Sequence, residues 1–227
     1  LSGMDIPESV DTQKKAQENH SKMAGTPVPS LILSLSVSTI FTMLIATSYN
    51  IVDTYFVSDL GESSVAAVGI MFSVMALIQA VGYTWGMGAG SEIARLLGKQ
   101  KKREAEQTLA TALAGGILSG AVMAVIFAVF REDVVRLLGA TDTSLAPAGQ
   151  YGIYIMLAAP VMCGAYVLNN ALRAEGQPYL ALLGILAGRL SNALFDYILV
   201  RVLGLGIAGA GIATLAGQGI SLAIMYI

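Results

Sequence analysis

The stretch SSVAAVGIMFSVMALIQAVGYTWGMGAGS, residues 63–91, contains no charged side chain over 29 residues. An α-helix rises about 1.5 Å per residue, and about 20 mostly apolar residues cross a hydrocarbon core of about 30 Å. The stretch is therefore long enough to cross a membrane once as a helix. Its many glycines and alanines are typical of transmembrane helices that pack closely against one another.

Five further stretches of the chain share this apolar character. Hydrophobic residues make up 55% of the sequence and charged residues only 12%, which is half the usual charge of a soluble domain. Because lipid offers the backbone no water, helices with internal hydrogen bonds are predicted. We predict an all-α polytopic membrane protein, a bundle of six transmembrane helices. The predicted spans are residues 30–57, 63–91, 107–130, 146–172, 178–201 and 206–227.

The two ends of the chain lie outside this regular pattern. Residues 1–26 are polar and of mixed charge, which predicts a cytoplasmic tail, and Leu1 to Gly3 ahead of Met4 resemble a cloning remnant. The sixth predicted span reaches Ile227 with no flanking charge after it. We therefore expect the chain to be a truncated protein or one half of a longer one.

Lysine and arginine predict the orientation of the spans. The tail and the loops after the second and fourth spans carry nine of these residues, and the loops on the other side carry three. By the positive-inside rule, both ends of the chain are expected to be cytoplasmic, in a multi-pass protein of the plasma membrane. The net charge of −2 argues against a nucleic-acid partner, so the expected partners are the lipid bilayer and a small organic molecule.

Two aspartates, Asp53 and Asp196, lie inside predicted spans. A carboxylate at this depth costs roughly 2.5–3.5 kcal/mol on insertion scales, so it is retained where it faces a cavity, a partner or an ion. Asn192 lies one helical turn before Asp196, and Thr214 lies at a similar depth in the sixth span. These oxygens predict a site for Na⁺, or for a proton on a carboxylate. For Asn192 and Thr214, a role as interhelical hydrogen-bonding groups stays open.

Arg189 lies near the middle of the fifth span, seven residues before Asp196 and on the same helical face. It is a candidate charge partner for Asp196 or a candidate contact for an anionic group of a substrate. Aromatic side chains in the spans suit a cavity for organic compounds, or anchoring at the membrane interface. The candidates for lining such a cavity are Tyr49, Tyr83, Tyr166 and Tyr197.

Four short motifs, in order along the chain, resemble the N-terminal lobe of multidrug and toxic compound extrusion (MATE) transporters. The resemblance covers about residues 27–227, all of the chain except its tail. The motifs are NIVDTYFV at 50–57, ARLLGK at 94–99 followed by Glu104 to Glu106, LRAEGQP at 172–178, and Asn192 to Asp196 followed by GIAGAGIAT at 206–214.

This resemblance implies two six-helix lobes around a central cleft. It also implies that cation entry is coupled to the expulsion of organic, often cationic, compounds, with Na⁺ or H⁺ as the coupling ion and no other cofactor. A second six-helix lobe, or a second copy of this chain, would then be a partner. Carried over by position, the coupling-ion site comprises Asp53, Asn192, Asp196 and Thr214, with Asn169 as a further member.

Two alternative functions remain open at this point. Two membrane aspartates could share a proton and activate water, as in an intramembrane aspartyl protease, but the chain lacks the glycine-flanked second aspartate of such enzymes. A flippase for lipids or lipid-linked sugars, from the same superfamily, would have several cationic residues along its cavity, where this sequence offers Arg189. We predict no catalytic residues and no enzyme, since Cys163 is single and His20 lies in the tail.

Overall fold

The computed structural model describes residues 60–226 and, ahead of them, residues 29, 30, 33, 36, 37, 40, 44, 54, 55, 57 and 58. The predicted span 30–57 therefore falls largely outside the described residues. Asp53 and Tyr49 also lie outside them, so their predicted roles stay predictions.

Residues 60–226 are almost entirely helical. Counting the π-helical segment as a continuation of α5, five helices are long and apolar enough to cross a membrane. This finding confirms the predicted class of an all-α polytopic membrane protein. The helices are α1 (Glu62–Gly98), α2 (Lys102–Val129), α3 (Arg131–Leu137), α4 (Asp142–Ala174), α5 (Pro178–Asp196), the π-helical segment (Tyr197–Val202) and α6 (Gly206–Tyr226).

Helix α4 lies at the centre of the bundle and packs on α1, α2 and α6. Tyr151 and Ile155 of α4 are fully buried in the main core, together with Met71 and Ile78 of α1. At Gly120 of α2 an added Cβ would lie 2.7 Å from the Ala159 carbonyl oxygen, so glycine allows the α2 and α4 backbones to touch there. In contrast, α2 leaves most of its apolar side chains exposed, as a lipid-facing helix does.

The turn from α4 to α5 explains one sequence motif in structural terms. Gly176 has φ +79, a left-handed conformation that ends a helix at little steric cost. The Gln177 amide then donates to the Leu172 carbonyl oxygen at 2.8 Å, which satisfies one of the last free acceptors of α4. Pro178 starts α5 at the position where proline is favoured. The sequence Glu175-Gly176-Gln177-Pro178 is therefore a helix stop followed directly by a helix start.

Two elements differ from the predicted spans. Charged residues interrupt the apolar pattern at Arg131, so the sequence predicts a loop where the structure has α3; Val135 of α3 is nevertheless fully buried, and Arg136 pairs with Asp142 of α4 at 3.1 Å. The fifth span changes from α-helix to π-helix at Tyr197. Counting apolar residues detects neither change. Such a count measures the composition of a segment, and it does not report the hydrogen-bonding pattern of the backbone.

Candidate functional site

Helices α5 and α6 run antiparallel and pack through glycines. A Cβ added at Gly217 would lie 2.6 Å from Asn192 Cβ and 2.7 Å from the Gly188 carbonyl oxygen, and a Cβ added at Gly188 would lie 2.6 Å from Ser221 Cβ. Gly184 contacts Met225 in the same way. We call Gly184, Gly188 and Gly217 the glycine seam, since these positions bring the two backbones together.

Three buried polar side chains continue the line of the seam. Asn192, Asp196 and Thr214 are 3%, 0% and 1% exposed. Each step of four residues along α5 matches a step of four back along α6, so Asp196 lies level with Ala213, the residue before Thr214. We call these three residues the polar trio. The structure thus brings together three of the five residues of the predicted coupling-ion site.

The hydrogen bonding of the polar trio is incomplete within the described part of the chain. The Thr214 hydroxyl donates to the Ala210 carbonyl oxygen at 3.1 Å. Neither polar atom of the Asn192 amide has a hydrogen-bond partner among the described residues. Leaving a buried polar group unsatisfied costs about 1–3 kcal/mol, so such a group calls for a partner such as an ion or water.

The donor set of the polar trio suits a hard cation or a proton. Carboxylate, amide and hydroxyl oxygens are the ligands that hard cations prefer. In residues 60–226 no three His, Cys, Asp or Glu side chains come together, which argues against a transition-metal site in that range. A carboxyl group binds a proton as well as a metal cation, so the Asp196 side chain suits either ion.

A cavity of about 310 Å³ lies beside the seam, between α1, α4, α5 and α6. Gly188 and Gly217 of the seam line this cavity beside Ser221, whereas no member of the polar trio lines it. The other lining residues are Phe72, Met75, Ala76, Gln79, Tyr83, Met162, Ala165, Tyr166, Asn169, Ile185, Arg189, Gln218 and Met225.

Two of the predicted cavity tyrosines, Tyr83 and Tyr166, line this cavity. Their ring centroids are 5.0 Å apart with the planes inclined at 41°. A Cβ added at Gly82 would lie 2.7 Å from Tyr166 Cδ2, so glycine lets the Tyr166 ring rest against α1. Tyr197 instead lies in the π-helical segment, is 52% exposed and does not line the cavity.

The two remaining predicted site residues, Arg189 and Asn169, also line the cavity, apart from the polar trio. Arg189 lines the cavity together with Tyr166. Asn169 Oδ1 accepts a hydrogen bond from Arg173 Nε at 3.2 Å, and Asn169 Nδ2 donates to the Ala181 carbonyl oxygen at 3.3 Å. The Asn169 oxygen thus already faces a cationic donor, so the geometry favours a place in the cavity wall over a place among cation ligands.

Sequence reasoning missed three polar residues of the cavity wall, Gln79, Gln218 and Ser221. A helical pattern could have found them, because residues four or seven apart share one face of a helix. Gln79 lies four residues before Tyr83, and Gln218 and Ser221 lie four and seven residues after Thr214.

Comparison with known proteins adds independent evidence. The family model MatE matches residues 38–198. The chain is 28% identical over 203 residues to the multidrug export protein MepA of Staphylococcus aureus strain MSSA476, covering 89% of this chain and 45% of the relative. A crystal structure of MATE in the bent conformation is similar with a TM-score of 0.80 and 30% identity, over 86% of this chain and 43% of that one.

A second solved structure gives the same result. An outward-facing conformation of a multidrug resistance MATE family transporter of the MOP superfamily is similar with a TM-score of 0.79 and 32% identity, over 86% of this chain and 44% of that one. The chain spans about half the length of the curated relatives that it matches. Because the family model matches well over half of the chain, this multi-pass membrane protein belongs to the multidrug and toxic compound extrusion family.

Proposed function

We propose that this chain is the N-terminal six-helix lobe of a secondary transporter that exports organic, often cationic, compounds in exchange for Na⁺ or H⁺. Membership of the family supports the transport of small molecules across a membrane. The name of the S. aureus relative, a multidrug export protein, supports export as the direction. The chain's coverage of about half of each relative supports the role as one lobe.

The observation that best supports a binding site for the coupling ion is the full burial of the Asp196 carboxyl group. A buried charge must be compensated, and an exchangeable cation or proton can compensate it in one state of a cycle and leave in another. Asn192 and Thr214 supply further oxygens at the same level of the α5 and α6 interface. The cavity beside the glycine seam then holds the exported compound near the ion without sharing its ligands.

The experiment that tests this proposal is efflux of ethidium by cells that express the full-length protein. Asp196→Asn keeps the size of the side chain and removes the charge that the cycle must load and release, so efflux should fall at least tenfold. Asp53→Asn should act in the same way if Asp53 belongs to the site. The matched control is Asp133→Asn, the same change at an exposed aspartate of α3, which should leave efflux unchanged.

Imposed gradients distinguish the two coupling ions. In vesicles that contain the protein, efflux should respond to an inward Na⁺ gradient, to an inward proton gradient, or to both. Efflux by the Asp196→Asn variant that equals wild type at equal membrane level would overturn the site. Indifference of the wild type to both gradients would overturn cation coupling.

The two alternative functions receive no comparable support. Members of this family are transporters. The only feature that supports an aspartyl protease is the pair of aspartates in predicted spans. A flippase for lipid-linked sugars would need several cationic groups in its cavity. Among the described lining residues only Arg189 is charged.

A further inference from the structure

We propose that the groove between α1 and α2 binds an anionic phospholipid, with the phosphate at the basic turn that joins the two helices and an acyl chain in the groove. The partner is one lipid molecule of the leaflet around this turn, which the positive-inside rule predicts to be the cytoplasmic leaflet. The groove shares no lining residue with the cavity beside the glycine seam, and no member of the polar trio lines it. The inference therefore concerns a second site, separate from ion coupling and from the exported compound.

The first step is the shape of the groove. Its volume is about 620 Å³, twice that of the cavity beside the seam and within the range of about 300–1,000 Å³ for ligand pockets. Trp85 lies at the end of the groove away from the turn. The Trp85 indole donates to Ser119 Oγ at 3.0 Å, and a Cβ added at Gly115 would lie 2.6 Å from Trp85 Cη2. These contacts with α2 hold the ring in place, so it forms a fixed inner end.

The second step is the chemistry of the walls. The hydroxyl groups of Thr84, Thr108 and Thr111 each donate to a carbonyl oxygen four residues earlier in their own helix, at 2.8, 2.9 and 2.8 Å. They need no hydrogen-bond partner from the groove. Ala89 and Leu96 add apolar surface to the α1 wall. Such walls suit a hydrocarbon chain better than a sugar or a nucleotide, which would bring many polar groups.

The third step is the depth of the groove in the membrane. Ser91 is the last residue of the charge-free run 63–91, and Trp85 lies six residues before it, about 9 Å deeper along α1. The inner part of the groove is therefore at the level of the acyl chains. Glu92 and Glu104 line the other part, which lies at the level of the lipid headgroups. One end of the groove is thus apolar and the other is charged, as in a phospholipid.

The fourth step is the sign of the charge at the headgroup end. Residues 92–106 carry five lysines and arginines and three glutamates, a net charge of +2, whereas the whole chain has −2. The two glutamates that line the groove are both paired with cations. Glu92 contacts Arg95 at 2.7 Å, and Glu104 contacts Lys101 at 2.8 Å. Their negative charges are therefore compensated locally.

Lys99, Lys102 and Arg103 supply the positive charge that remains. All three are exposed, and none forms a salt bridge within the part of the chain that the structure describes. Lys99 lies three residues after Leu96, so it extends the face of α1 that lines the groove. Basic clusters directly beside a transmembrane helix attract anionic headgroups. Free phosphate would match only this end, whereas a phospholipid matches both ends.

Quenching of Trp85 fluorescence by brominated lipids tests the inference. The full-length protein is placed in vesicles of phosphatidylcholine with increasing fractions of phosphatidylglycerol, with bromine on the acyl chains of one lipid or the other. The difference between wild type and Trp85→Phe isolates Trp85 from any other tryptophan. We expect phosphatidylglycerol to compete about fivefold or more strongly for the position beside Trp85. Equal competition by the two lipids would overturn the inference.

Charge variants test the headgroup position. Lys99→Gln should lower the preference for phosphatidylglycerol at least about twofold, and the triple change of Lys99, Lys102 and Arg103 to glutamine should abolish it. Arg131→Gln, at an exposed arginine beyond the other end of α2, is the matched control for the single change and should keep the full preference. A preference that survives the triple change would overturn the role of the turn.

Salt tests the same charges without a variant. NaCl at about 1 M screens exposed charges beyond about 3 Å, so the wild-type preference should fall. A preference that does not change with salt would contradict binding through the exposed cations.

A larger side chain in the groove tests the position of the acyl chain. A Cβ added at Gly88 meets nothing within 4 Å, and Gly88 lines the groove, so Gly88→Leu places its side chain in space that the lipid would occupy. It should at least halve the quenching of Trp85 by brominated phosphatidylglycerol. The matched control is Gly69→Leu, at a position of α1 that is equally open and outside the groove. Full quenching in Gly88→Leu would overturn the groove as the binding site.

Discussion

At the scale of single residues, Glu175 shows how burial affects a charge outside the membrane spans. It follows the last residue of α4, where a negative charge also opposes the helix dipole. Burial raises the pKa of the Glu175 carboxyl above its ordinary 4.5, and the nearby Glu106 carboxylate raises it further. The folded protein therefore holds this proton more tightly than the unfolded chain does. The stability from this group is present at low pH and is lost as the pH rises from 4.5 through the folded pKa.

Replacing this carboxyl by a neutral amide should stabilise the protein only at neutral pH. We expect Glu175→Gln to raise the Tm in detergent by about 1–3 °C at pH 7.5, since about 1 kcal/mol moves the Tm of a domain of this size by 2–4 °C. At pH 4 most of the gain should vanish, because the wild-type carboxyl is then mostly protonated in both states. Glu132→Gln, at an exposed acid of α3, is the control with no expected change. A gain of equal size at both pH values would contradict this account.

The residues of the predicted site show how far the sequence reaches at this scale. Asp196 stands out in sequence because a carboxylate in an apolar run has an identifiable cost. The depth of Thr214 and the helical spacing of Asn192 also follow from counting residues, and all three side chains are buried in the structure. The hydrogen bonds of Asn169 to Arg173 and Ala181 could not be predicted, because they depend on how α4 and α5 meet after the turn at Gly176.

At the scale of helices, the glycine seam determines how α5 and α6 pack. Adding one methyl group at Gly217 would force it against Asn192 Cβ at 2.6 Å and the Gly188 carbonyl oxygen at 2.7 Å. Neither group can move without displacing a backbone. Overpacking of this kind typically costs about 1–3 kcal/mol.

We expect Gly217→Ala to lower the Tm in detergent by about 2–12 °C, as follows from that cost for a domain of this size. It should also reduce ethidium efflux, because Asn192 is displaced from the polar trio. The matched control is Gly219→Ala on the same helix, where an added Cβ meets nothing within 4 Å. That variant should be neutral or slightly stabilising, since alanine favours a helix over glycine. Equal effects of the two variants would mean that helix propensity, rather than the contact with α5, determines the result.

The helices also show why the fold class was predictable while some details were not. Lipid requires long apolar helices, so charge-free runs indicate where they lie. A search for charge-free runs misses helix α3, because α3 is short and charged. Its charged residues are Arg131, Glu132, Asp133 and Arg136, and Val135 is its fully buried residue. The π-helical segment differs from an α-helix by one residue per hydrogen-bonded turn, and composition carries no trace of that difference.

At the scale of the whole molecule, the orientation in the membrane can be tested directly. The sequence has one cysteine, Cys163, which is buried, so an introduced cysteine is the accessible thiol. Lys99 and Thr143 are exposed and lie at opposite ends of the region that α2 crosses. If the positive-inside rule holds, Lys99 faces the cytoplasm and Thr143 the outside.

We expect a membrane-impermeant maleimide to label Thr143→Cys in intact cells and to label Lys99→Cys only after permeabilisation. The parent protein is the control and should remain unlabelled under both conditions. The reverse pattern would place the loop after α1 outside and would overturn the predicted orientation. Labelling of both variants in intact cells would indicate a mixed orientation.

The glycine seam also has a consequence for genetic variation. Every missense mutation of a glycine codon adds at least a Cβ, so Gly184, Gly188 and Gly217 should tolerate almost no amino-acid change. Codons for the cavity methionines Met75 and Met162 are under no such restriction, since neighbouring side chains can repack around a flexible residue. If cells that express the full-length protein are selected for altered efflux of ethidium, we therefore expect adaptive mutations to collect at the methionines and to be absent from the seam.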